Sequence, residues 1–96
     1  MRLDDASHSS FKISEIRAAH IRAARALLDW SIEDLANRSG ISISSIRRLE
    51  SGETSSIRER TLVAIEAALT TNGVIFEKRG DIVSVATYFL GAAPRD

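Results

Sequence analysis

The chain has 96 residues, in which thirteen Lys and Arg balance thirteen Asp and Glu, and it contains no cysteine. This length fits one domain whose core is of modest size, so help from a second subunit is expected, and the lack of cysteine excludes a disulfide framework and thiolate metal ligation. Zero formal net charge excludes a partner held by bulk charge alone, and no run approaches the roughly 20 apolar residues of a membrane span.

Residues 1–13 are polar, with Asp4 and Asp5 and no apolar leader segment, and read as a flexible arm. With neither leader nor span, the chain is expected in the cytoplasm. Ile21, Ala24, Leu27 and Leu28 recur at helical spacing and predict a first helix over Ile16 to Asp29, closed by Trp30. Ser31 and Asp34 have the spacing of a capping box, with Asp in place of the usual Glu. A second helix therefore runs from Ile32 to about Arg38, with Leu35 and Ala36 inward. Gly40 supplies the left-handed residue of a sharp turn, and Ser42 is an N-cap for a third helix that continues to about Ser51, with Ile46 and Leu49 inward.

After Gly52, Ser56 and Glu59 repeat the cap signature. Leu62, Ile65, Ala68 and Leu69 then give a fourth helix its apolar stripe down to Asn72 and Gly73. From Val74 the pattern turns β-branched and aromatic, VIFEK and then IVSVATYFL around Arg79, Gly80 and Asp81, which predicts a hairpin. Ile82 and Tyr88 share one face of its second strand, and Val83, Val85 and Phe89 the other. The first face is expected on the fourth helix and the second, or the strand edge, against another subunit; a ribbon lying wholly on its own core is the alternative. The organisation is an arm over 1–13, a helical domain over 14–73, a hairpin over 74–90 and a tail over 91–96.

Charge is uneven along the chain. Between Arg17 and Arg60 eight arginines face six acids, which predicts a locally basic face on a neutral molecule.

The segment Ser31 to Glu50, SIEDLANRSGISISSIRRLE, resembles the helix-turn-helix of Cro/CI-type (XRE) regulators. The preceding RAARALLDW and the later TLVAIEAALTTNGVIF extend the resemblance over about residues 16 to 76. Ala36 is small where two helices cross, Gly40 permits the turn, and Leu35, Ile41, Ile46 and Leu49 form the core that sets the crossing. The resemblance implies a mainly α, four- to five-helix repressor-like DNA-binding domain with the C-terminal β-hairpin used for dimerisation. Its partners would be double-stranded DNA and a second copy of the chain.

In that family the third helix lies in the major groove. Ser42, Ile43, Ser44, Ser45, Arg47 and Arg48 are then the expected DNA contacts. Arg48 is the expected base reader, because a guanidinium bonds bidentately to guanine, a pairing worth about 1–3 kcal/mol of discrimination. Ile43 offers contact to a thymine methyl, and Arg47 suits phosphate. Where the family often has a glutamine at the start of the second helix this chain has Ile32, so phosphate contact is expected from the helix-start amides and from Arg22 or Arg38, with Arg58 ranked last. Glu50 pairs in the family with an arginine of the first helix, here Arg25, as a scaffold clamp. The expected dimer interface is Val74, Phe76, Ile82, Val83, Val85, Tyr88 and Phe89.

No cofactor, metal site or enzyme activity is expected, since His8 and His20 are the only histidines and neither has a partner at catalytic spacing. The competing reading is an antitoxin or anti-activator that works through protein binding. It needs a segment able to fold on a partner, and only the short stretches at the two ends are available for that.

Overall fold

The computed structural model describes residues 12–53 and 57–88. The expected cap at Ser56, the interface residue Phe89, most of the arm and the tail lie outside them. A single 3-10 turn over Ile13–Glu15 leads into four helices, α1 (Ala18–Leu28), α2 (Ile32–Ser39), α3 (Ile43–Glu50) and α4 (Glu59–Thr71). Two antiparallel strands, β1 (Val74–Arg79) and β2 (Ile82–Thr87), follow. The fold is mainly helical with a C-terminal hairpin, as the sequence pattern predicts. Ile13 packs against the core as a partly buried residue, so the folded part begins within the stretch assigned to the arm.

Local chemistry sets the helix boundaries. Ser31 accepts from the Asp34 amide at 3.0 Å while Asp34 accepts from the Ser31 amide at 2.9 Å, a complete capping box at the start of α2. Gly40 ends α2 in the left-handed region at φ 76°, and the Ser42 hydroxyl accepts from the Ser45 amide at 3.2 Å to start α3. Asp29 rather than Trp30 closes α1: it takes a left-handed φ of 60°, and the Trp30 amide returns to the Arg25 carbonyl at 2.9 Å.

The core joins all four helices and the hairpin. Ile21, Leu35, Ile46, Leu49, Ile65 and Leu69 are fully buried, with Ala24, Val74 and Phe76 beside them. Leu27, expected inward, keeps 45% of its surface exposed. At about 3.6 residues per turn it falls off the line through Ile21, Ala24 and Leu28.

The hairpin turns over relative to the sequence expectation. Val74, Phe76 and Lys78 stand opposite Thr87, Val85 and Val83 in the register, and Val85 packs on the core. Ile82 and Tyr88 point away, 68% and 62% exposed, so the face expected on the fourth helix is the outer one. The physical reason is the strand period of two: Val74 and Phe76 are anchored in the core by the end of α4, and the register then fixes Val83 and Val85 on the same side. β2 packs along α1, while β1 meets both α4 and α1.

Candidate nucleic-acid interface

The surface centred on α3 is built from a short helix held across α2. Leu35 of α2 and Ile46 and Leu49 of α3 are buried together, which leaves the opposite side of α3 free of the core. Ser42, Ser44, Arg47 and Arg48 are exposed, and Ile43 and Ser45 are half-buried. Among the described residues neither Arg47 nor Arg48 makes an ion pair or a side-chain hydrogen bond. Both guanidiniums therefore point to solvent with their donors unused. The Ser42 hydroxyl is already engaged, accepting the helix-start amide, donating to Ser45 at 3.0 Å and lying 3.4 Å from the Ser44 hydroxyl.

Arg48 does not stand alone. It shares a shallow basic cleft with Ser45 of α3 and with Ile57, Arg58, Arg60 and Thr61 at the start of α4. Arg60 did not figure among the expected contacts, and Arg58 was ranked last. Neither lies in the helix-turn-helix segment, and only the packing of α4 beside α3 brings them to Arg48. Their spacing around Glu59 puts both at the first turn of α4, the one sequence signal that bears on their placement.

Arg22 and Arg38, expected near phosphate, are used within the fold. Arg22 donates to the main-chain oxygen of Glu50 and so caps the C-terminal end of α3, where a cation is favoured by the helix dipole. Arg38 lies over the Trp30 ring, 4.9 Å from its centroid, and donates to Asn72 at 3.3 Å. Both remain exposed, but each has an internal partner that Arg47 and Arg48 lack.

Behind the surface, Arg25 donates from Nε to Glu50 Oε2 at 2.7 Å and from Nη2 to Oε1 at 2.8 Å. Its remaining Nη1 reaches the Trp30 carbonyl at 2.9 Å. Among the described residues Glu50 is the one buried charged residue, at 7% exposure, and the Arg25 side chain keeps 20%. This two-pronged pair ties α1 to the end of α3, and the hydrogen bonds to Glu50 raise the Arg25 pKa above its ordinary value. It is a scaffold contact, made where α3 packs against α1.

His20, read from the sequence as a helix-surface residue, instead joins two elements. Its Nδ1 accepts from the Arg17 amide at 2.9 Å and its Nε2 lies 3.0 Å from the Val83 carbonyl of β2. An acceptor at Nδ1 and a donor at Nε2 match the neutral Nε2–H tautomer. Among the described residues no group of three or more His, Cys, Asp or Glu could hold a metal, and no helix is long and apolar enough to cross a membrane.

A capped helix, a left-handed glycine turn and a second helix held with its outer face open define a helix-turn-helix protein. The helix-turn-helix family profile matches residues 21–74, and the chain belongs to that family in its Cro/CI (XRE) form, a family of DNA-binding transcription regulators. A search of curated proteins gives no match.

Proposed function

We propose that the protein is a sequence-specific transcription regulator that binds a pseudo-palindromic operator as a homodimer, with one α3 in the major groove of each half-site. The observation that carries this reading is the pair Arg47 and Arg48, exposed side by side on α3 without a side-chain partner among the described residues, while Arg22, Arg25 and Arg38 of the same domain each have one. Leaving two guanidiniums unpaired gains the fold nothing, and it suits groups that meet bases and phosphates from outside.

In the proposed complex Arg48 bonds guanine at the base edges and Ser44 and Ile43 lie alongside. Arg47, with Arg58 and Arg60 in the neighbouring cleft, meets the phosphates. The amides at the start of α2 stand where the family's glutamine would touch the backbone, Ile32 having no polar head. Two subunits set the reading helices about 34 Å apart, one turn of B-DNA.

Selection of bound duplexes from a random pool tests this. The expected result is an enriched motif with two inverted half-sites whose centres lie about one helical turn apart. A pool that stays random through successive rounds would remove the sequence-specific reading.

A further inference from the structure

The hairpin's outer face carries Ile75, Glu77 and Arg79 on β1 and Ile82, Ala86 and Tyr88 along β2, and no element of the described residues covers Ile82 or Tyr88. From this face we infer that a second copy of the chain docks here, sheet face on sheet face, with Glu77 of each copy meeting Arg79 of the other. This rests on the paired-subunit arrangement proposed above and specifies its contact surface.

Charge is the first argument. Glu77 and Arg79 lie two positions apart on one strand face, about 7 Å. A two-fold axis lying between the two sheets, parallel to them and running across the strands midway between Glu77 and Arg79, puts the acid of each copy over the base of the other. Ile82, the cross-strand neighbour of Arg79, then lies close to the axis, where an exposed branched side chain loses its contact with water. A face with one acid and one base has no net charge to draw it to DNA, but it complements itself.

The second argument is that the competing edge-to-edge arrangement through β2 is obstructed. The Tyr88 amide bonds to the Gly73 carbonyl, so even-numbered positions of β2 turn their main-chain groups toward β1 and odd-numbered ones turn away. Val83 therefore presents its carbonyl at the outer edge, and His20 occupies it. A partner strand would have to displace that side chain and slide past α1, which runs along β2.

Sedimentation of the full chain over a concentration series, without DNA, decides the matter, with far-UV circular dichroism confirming that each variant is folded. Ile82→Asp should weaken self-association roughly a hundredfold, since the side chain is buried once in each copy. Glu77→Arg and Arg79→Glu should each weaken it about tenfold, and the double exchange should restore it. A dimer indifferent to Ile82→Asp and to both charge reversals overturns the proposal in favour of another surface. A wild-type chain that stays monomeric overturns it too and leaves the face to residues 89–96 or to a different protein. Because DNA is absent, a chain that dimerises as described but selects no operator fails only the regulator reading.

Discussion

At the scale of single residues, two side chains decide how firmly α1 and α3 are fixed to each other. Arg25 and Glu50 meet through two short bonds with Glu50 almost wholly out of water, so removing the arginine leaves a buried carboxylate without its counter-charge. Arg25→Ala should cost about 3–4 kcal/mol, toward the lower part of the range for buried pairs because Arg25 is itself partly wet. Chemical denaturation measures this directly, and a midpoint equal to the parent's would show that the pair contributes nothing.

Asp29 has the opposite character. It sits in the left-handed region and places a negative charge at the C-terminal end of α1, where the helix dipole disfavours it. Asp29→Gly should therefore stabilise the fold by about 0.5–1 kcal/mol despite the freedom glycine adds to the unfolded chain. A lower melting temperature would mean that Asp29 makes a compensating contact. The sequence does not display this residue's conformation, because an aspartate there fits equally well as the last ordinary residue of the helix.

At the scale of elements, α2 and α3 were legible because they carry their own punctuation, whereas α4 starts at Glu59 behind Arg58, which makes no side-chain cap, and not behind the expected Ser56. Ser31 with Asp34, Gly40 and Ser42 fix the boundaries of α2 and α3 by short-range hydrogen bonds that depend only on residues three or four apart. The hairpin was legible as a hairpin but not in its orientation. Both faces of β2 carry apolar residues, so its own pattern cannot choose, and the choice is made by Val74 and Phe76, which the end of α4 delivers to the core. That choice makes Val74 and Phe76 part of the subunit's own core and turns Val83 and Val85 toward α1 and the core. Of the expected interface set, Ile82 and Tyr88 remain on the surface among the described residues.

Apart from the Arg25–Glu50 pair, which the family resemblance implies, the contacts between elements that are remote in sequence were not legible. Glu15 of the 3-10 turn accepts from Lys78 of β1 at 2.7 Å and from the Lys12 amide at 3.0 Å, a link across 63 positions. The Lys78 hydrogen bond, and then that from the Lys12 amide, hold the Glu15 carboxyl below its ordinary value of 4.5. Folding thus favours the ionised form. The stabilisation is complete above pH 4.5 and disappears as the pH falls through the lowered value. Asp34, held low chiefly by the Ser31 amide, loses its contribution in the same acid range, so a comparison of variants is needed to separate the two. Thermal melts from pH 6 to pH 3 should show wild type and Glu15→Gln differing near neutrality and converging in acid. A gap independent of pH would contradict the assigned contact.

At the scale of the whole molecule, a neutral chain presents its basic groups unevenly. The arginines of α1 and α2 are tied to carbonyls, a carboxylate or a ring, and those of α3 and the start of α4 open outward. With little net charge to hold any duplex, affinity must come from fitted contacts, and discrimination among sequences should be high relative to salt-driven binding. The site was legible in part. Arg47 and Arg48 could be named from the helix-turn-helix segment, whereas Arg58 and Arg60 join them only through the packing of α4. The internal duties of Arg22 and Arg38 depend on neighbours 28 and 34 positions away.

The most direct measurement is a binding titration of wild type and Arg48→Ala against a selected operator and a random duplex, repeated over a range of salt. The expected result is a loss of about tenfold to a hundredfold on the operator, nearly unchanged binding to the random duplex, and a salt slope that barely moves. Equal losses on both duplexes with a shallower slope, or no loss on either, would contradict the assignment of α3 as the helix that reads bases.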